Sequence, residues 1–324
     1  MGDPGGIGPE ITAKAWSALR ESGPAFFVIA DPDVFAPFSI NTITIQDGTS
    51  AGDVFRDGLP VLPLEKNVDG APGIANHANA PAILESIQRA VAYGLQTGGA
   101  IVTNPIQKSS LMKAGFNFPG HTEYLAALTQ DAPMPNGRTR GPVMMLAGPE
   151  LRTVPVTIHK AVTDAIASLT PALIIHCARV TAEALVDDFG IAAPRLTISG
   201  LNPHAGEEGA MGHEDLMIIQ PAIDDLRARG LNVTGPVAAD GMFHKGARTG
   251  YDAALCMLHD QALIPVKTLA FDDSVNVTLG LPIVRTSPDH GTALNIAGEN
   301  IARADSLIAS INLGSDIAAR RLTK

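Results

Sequence analysis

The sequence predicts an α/β protein of two lobes, and three observations carry that prediction. Short apolar runs alternate with longer stretches of helical period, the pattern of a sheet wrapped by helices. At 324 residues the chain exceeds what one hydrophobic core comfortably organises, so two lobes with a cleft between them, or one large α/β unit, are expected. Apolar residues make up 45% of it and charged residues 17%, enough buried surface to offset the entropy of ordering, which excludes a disordered chain.

The predicted strands are Phe26–Ala30, Ala100–Thr103, Val143–Ala147, Thr153–Ile158, Arg195–Ser199, Val233–Ala238 and Ala253–Leu258. The predicted helices include Pro9–Glu21, with proline just inside its start, and Pro81–Gln96, Pro171–Asp187 and Glu214–Arg229. No repeat, low-complexity tract or charged linker separates them, so a second lobe is read as inserted into the first. The boundaries fall near 120 and 280: residues 1–120 with 280–324 form one lobe and residues 121–279 the other. The opening GDPGGIGPE is a glycine-rich turn entering a helix, and such turns follow a strand. The expectation is therefore that the native polypeptide begins about 8–12 residues before Met1, a strand and its lead-in.

A net charge of −10 and the absence of Lys or Arg runs argue against nucleic acid or an acidic membrane as partner, while a small anion remains open to local cations. No apolar run spans a bilayer and no basic-then-apolar leader opens the chain, so a cytoplasmic protein is expected. Cys177 and Cys256, both in apolar surroundings, read as buried reduced thiols.

Three of the nine histidines share a position. His159, His204 and His259 each follow the carboxyl end of a predicted strand, the edge where open parallel sheets bind ligands. Three neutral imidazoles suit Zn²⁺ or a similar divalent ion and leave room for a substrate oxygen. Three unrelated loop histidines with hydrogen-bonding roles would explain the same spacing. In PGHTEYL, His121 and Thr122 stand at a helix start, where they would either meet a phosphate or carboxylate or simply cap the helix. Lys267, Asn276 and Arg285 are isolated polar groups amid strand-like apolar residues; buried cations of this kind are paired internally or held for an anionic ligand. The segment DHGTALNIAG offers Asp289, His290, Gly291, Thr292, Ala293, Ala297 and Gly298 either as a loop approaching a flat cofactor or as a turn into the last helix.

Taken in order, GDPGGIGPE, TNPIQKSSL, PGHTEYL, GLNPHAGEEGAMGHED, HDQALIPVK, VNVTLGLP and RTSPDHGTALNIAG resemble the 4-hydroxythreonine-4-phosphate dehydrogenase family of vitamin B6 biosynthesis over nearly the whole chain. GDPGGIGPE and HGTALNIAG also resemble the turn and adenosine-contacting loop of isocitrate and isopropylmalate dehydrogenases. The resemblance implies that fold: two α/β/α lobes with the active site in the cleft between them. It further implies His159, His204 and His259 as metal ligands, and His121, Thr122, Lys267, Asn276 and Arg285 as substrate contacts. The 289–298 loop would hold the adenosine end of NAD or NADP, and the molecule would be a homodimer with an active site shared between subunits.

The implied reaction oxidises the secondary alcohol of 4-phosphohydroxy-L-threonine on a divalent metal, Zn²⁺ first, with Mg²⁺ or Co²⁺ as alternatives. The product, 2-amino-3-oxo-4-phosphooxybutanoate, is a β-keto acid that decarboxylates to 3-amino-1-hydroxyacetone 1-phosphate. Lys267, Asp240 and Asp260 stand as alternative general bases. Rival readings are a sister dehydrogenase acting on a phosphorylated threonate or erythronate or on a cis-dihydrodiol dicarboxylate, a phosphate acyltransferase, which would need no histidine triad, and a non-catalytic binding module.

Overall fold

The computed structural model describes residues 1–118 and 120–323. Its strands, in chain order, are β1 (Val28–Ala30), β2 (Thr42–Thr44), β3 (Leu59–Pro63), β4 (Ala100–Val102), β5 (Val143–Ala147), β6 (Arg152–Pro155), β7 (Arg195–Ser199), β8 (Asn232–Val237), β9 (Ala253–Cys256), β10 (Val275–Leu279) and β11 (Val284–Pro288). The chain divides into two compact units, residues 1–132 with 283–322 and residues 133–282. The helix His121–Leu128, expected in the second lobe, belongs to the first unit. Aromatic packing accounts for this: Tyr124 meets Phe116 and Phe118 at centroid distances of 5.0 and 5.1 Å, and its hydroxyl accepts from Gln88 of the helix Ala80–Thr97.

In the first unit β1, β3 and β2 form a parallel sheet in that order, and β4 pairs in parallel with β11, Arg285 opposite Ile101. The helices Gly8–Leu19 and Asp305–Leu322 cover this core with Ile11, Trp16, Leu307 and Ile311, against Phe35, Leu59 and Val61. Glu10 is fully buried in the first helix, and it stays there because Lys14 and the amide of Ala302 both donate to Oε1 at 2.8 Å. A cavity of about 420 Å³ is lined by Val28 and Ile29 of β1, Ile101 and Val102 of β4, and Leu307 and Ile311. Among its described lining residues are Thr12, Ser86 and Asn104 but no Lys, Arg or His side chain, so it lacks the side-chain cations that a phosphorylated substrate calls for.

The second unit orders its strands β10, β5, β6, β9, β7, β8, with β10–β5 and β5–β6 antiparallel and the rest parallel. Leu146, Cys256, Ala262 and Val266 centre one core cluster here. The helix Pro171–Asp187 has the predicted bounds, because Thr170 accepts from the Leu173 amide and proline occupies the first turn. The predicted helix Glu214–Arg229 instead opens as a π turn, Asp215–Ile219, before the α-helix Gln220–Ala228. Pro221 has no amide to continue an α ladder, and the Gln220 amide reaches back five residues to Asp215. Both cysteines are free and buried, and burial pushes their thiols up, Cys177 to about 12. Among the described residues no single helix is long and apolar enough to cross a membrane.

Candidate active site

Strands β6 and β9 are parallel neighbours, so they deliver the residues after them to the same edge of the sheet. Beyond Pro155 the pairing continues: the amides of Val156 and Thr157 donate to Cys256 and Met257 at 2.8 and 3.3 Å, and Thr157 Oγ1 also donates to Met257 O. The chain then turns at His159, which adopts φ +50°. After β9, His259 is the first residue of the helix His259–Ala270. The two imidazoles lie with ring centroids 5.9 Å apart and planes tilted by 45°. His259 Nδ1 is 2.8 Å from Asp260 Oδ1. A carboxylate only accepts, so Nδ1 is the donor in this contact.

His204 reaches the same sheet edge by another route. Leaving β7, the chain is held by Ser199, whose Oγ accepts from the Met257 amide at 3.2 Å, and by Gln261, which donates to Gly200 O at 3.1 Å. Residues His204 to Glu208 then all take left-handed φ, between +42° and +77°. Four of the five are not glycine, and each such residue costs roughly 1–2 kcal/mol. His204 is exposed on this turn. Among the described residues no three His, Cys, Asp or Glu side chains converge within one chain, so His159 and His259 come together and His204 does not join them.

Two imidazoles on one tetrahedral zinc, with Zn–N of about 2.1 Å, would have ring centroids roughly 5 Å apart. The observed pair is within a modest side-chain rotation of that, and a single chain supplies two donors of the right type.

The first unit gathers cations. Arg285 on β11 is buried and donates from Nε and Nη2 to Thr103 Oγ1 at 3.2 and 2.7 Å. Burial lowers its pKa to about 10, which leaves it charged at neutral pH. His121 opens the helix His121–Leu128, and its Nε2 is enclosed without a hydrogen-bond partner. Burial holds this ring well below the ordinary histidine pKa, and the nearby Arg285 and Lys108 push it the same way. Lys108 also borders Gly120, where an added Cβ would stand 3.5 Å from its Nζ. A neutral imidazole with an unmet polar atom, in the field of an arginine and a lysine, has the chemistry to receive an oxyanion. Thr122 is partly buried one residue on. Sequence reasoning named neither Lys108 nor Thr103 as functional, although both lie in the TNPIQKSSL motif that carries part of the resemblance.

The glycine-rich opening and the 289–298 loop touch each other. The Ile7 amide donates to Thr292 O at 2.9 Å, and a Cβ on Gly6 would come within 2.8 Å of that same oxygen, so only glycine allows this approach. Thr292 Oγ1 donates to Gln107 at 3.1 Å, Asp289 N to Ser306 at 3.4 Å, and His290 Nδ1 pairs with Gly291 O. Ala293 and Gly298 take left-handed φ, and Ala297 is partly buried between them and Gly73.

The remaining residues singled out by sequence are dispersed. Lys267, expected amid strand residues, lies in the helix His259–Ala270 with its ammonium 5.9 Å from the Phe271 ring centroid; HDQALIPVK has helical as well as strand character, and its Pro265 sits inside the helix. Asn276 is on β10 opposite Leu146, its Oδ1 buried without a hydrogen-bond partner. Asp240 is exposed in the turn Ala239–Gly241, and Asp260 is engaged with His259.

The family model described as pyridoxal phosphate biosynthetic protein PdxA matches residues 24–314. The chain is 53% identical to the 4-hydroxythreonine-4-phosphate dehydrogenase of Caulobacter vibrioides, covering 99% of this chain and 96% of that one. It is 47% identical to the Bradyrhizobium diazoefficiens protein of that name, at the same coverage. A crystal structure of the Klebsiella pneumoniae 4-hydroxythreonine-4-phosphate dehydrogenase superposes with a TM-score of 0.84 at 34% identity, covering 98% of this chain and 96% of that one. A terephthalate 1,2-cis-dihydrodiol dehydrogenase from Burkholderia xenovorans superposes less well, with a TM-score of 0.63 at 27% identity and coverages of 97% and 96%. On a match spanning nearly its full length, with the α/β fold to go with it, the chain belongs to the PdxA family of pyridoxal phosphate biosynthesis, the 4-hydroxythreonine-4-phosphate dehydrogenases.

Proposed function

We propose that the chain oxidises 4-phosphohydroxy-L-threonine at its secondary alcohol, with NAD(P)⁺ as acceptor and a divalent metal, as a cytoplasmic homodimer. The single observation that carries this reading is the cationic group of the first unit: Arg285 and Lys108 around a neutral, enclosed His121, in a family whose members are named for a phosphorylated substrate. When bound, the nicotinamide takes the hydride and the divalent ion, Zn²⁺ first with Mg²⁺ or Co²⁺ as alternatives, stabilises the oxygen that loses its proton.

The chain's own residues do the rest. Arg285 and Lys108 supply charge to the phosphate, while His121 stays neutral and donates a hydrogen bond, with Thr122 beside it. His159 and His259 hold the metal from one protomer, and His204 completes the set from a second copy, in line with its separation within one chain. Asp260 orients His259, and Lys267, Asp240 and Asp260 remain the alternative bases. Lys267 and Asn276 contact the substrate, and the loop of Asp289, His290, Gly291, Thr292, Ala293, Ala297 and Gly298 receives the adenosine end of the cofactor. The ketone formed lies β to the carboxylate, so loss of CO₂ gives 3-amino-1-hydroxyacetone 1-phosphate.

The test is NADH formation from 4-phosphohydroxy-threonine before and after chelation, with phosphorylated threonate, phosphorylated erythronate and a cis-dihydrodiol dicarboxylate as competing substrates. Turnover that survives exhaustive chelation removes the metal from the proposal. Preference for another substrate assigns the chain to a sister activity.

A further inference from the structure

We propose that Asp215 is a positioning residue for His204, acting through the backbone of the turn that carries it. The inference rests on the reading of His204 as a metal ligand. Asp215 is only 1% exposed, and three N–H groups from the start of the turn converge on its carboxylate. The amide of Leu201 donates to Oδ1 at 2.9 Å, and the amide and side chain of Asn202 donate to Oδ2 at 3.1 and 3.0 Å. The same Asn202 Nδ2 also donates to Glu214 Oε2 at 2.8 Å.

The turn is moulded to this carboxylate. A Cβ on Gly200 would stand 2.7 Å from Asp215 Oδ1, and one on Gly206 would stand 3.3 Å from Asp215 Oδ2. From Asn202 the chain enters five consecutive left-handed residues beginning with His204. A run of this kind persists only where its surroundings dictate it. The buried carboxylate is that constraint, and the π turn Asp215–Ile219 is what brings it there. Removing its charge leaves the two amides facing a group that can no longer accept from both, and His204 loses its fixed bearing.

The probe is Co²⁺, titrated into the metal-free full-length protein and followed by its visible ligand-field absorption. Asp215→Asn is expected to weaken Co²⁺ binding about ten- to a hundredfold and to speed hydrogen exchange at the amides of residues 201 and 202. In a His204→Ala background the same substitution is expected to cause no further loss, because the two changes act through one ligand. Asn202→Ala, which removes one side-chain donor to the carboxylate and leaves the left-handed residues unchanged, is expected to weaken Co²⁺ in the same direction and keeps the test open if Asp215→Asn does not fold. Wild-type Co²⁺ affinity in a folded Asp215→Asn, or equal further loss in the His204→Ala background, overturns the proposal. His204→Ala that alone leaves Co²⁺ affinity unchanged overturns the ligand reading beneath it, and is seen without touching Asp215.

Discussion

His121 sits where another positive charge would be costly, enclosed and within the field of Arg285 and Lys108. Unfolded, it protonates near the usual pH of about 6.5. Folded, it protonates further down, so between those values the unfolded chain carries the extra proton and stability falls as pH is lowered through that window. Its ring carbons, followed by NMR, should keep neutral shifts well below pH 6.5, and inorganic phosphate should raise the transition by offsetting the two cations. An ordinary midpoint in the free protein would contradict the enclosure. For Arg285, substitution by Ala should raise KM for the phosphorylated substrate about ten- to a hundredfold, the worth of a charge-assisted hydrogen bond of about 1.5–3 kcal/mol. A change confined to the KM for NAD would move Arg285 out of the substrate site.

At the scale of elements, legibility followed how much of the signal was local. Pro171–Asp187 was readable because its cap and its proline are adjacent in sequence, and β5 because all five residues are apolar. The strands β2 and β3 were not, since Thr42–Thr44 is short and partly exposed and Leu59–Pro63 contains two prolines at a sheet position that only tertiary pairing selects. Helix Pro171–Asp187 also ends on a pairing invisible in the sequence. Arg138 makes a two-pronged ion pair with Asp188, at 2.8 and 3.1 Å, both side chains almost fully buried. Asp188→Ala removes both short contacts and leaves the buried guanidinium only the longer one to Asp187, Nε to Oδ2 at 3.8 Å, so it should cost about 3 kcal/mol, read as a lower chemical-denaturation midpoint. A loss below about 1 kcal/mol would mean Asp187 takes over the pairing or water reaches the guanidinium. By contrast Thr170→Ala, at an exposed cap, should cost only about 1 kcal/mol.

For the whole molecule, the placement of His159 and His259 after neighbouring strands was legible and the assembly around them was not. Strand ends advertised His159 and His259, because β6 and β9 turned out to be neighbours in the sheet. The same logic reached His204, yet a left-handed turn held by the Asp215 carboxylate decides where that ring goes, and within one chain it stands apart. Lys108 was missed because a lysine at a helix start is ordinary until Gly120 and His121 are seen beside it. The proposal that a second copy completes the site makes a sharp prediction. His159→Ala and His204→Ala should each be inactive alone. In a heterodimer of the two, one site combines the defects and the other is intact, with His159 and His259 from one chain and His204 from the other. Random pairing makes half the dimers mixed, so co-expressed variants should recover about a quarter of wild-type turnover by symmetry. If all three ligands came from the same chain, neither site of the mixed dimer would be whole and recovery would be nil, so purification by two tags followed by the NADH assay separates the two arrangements.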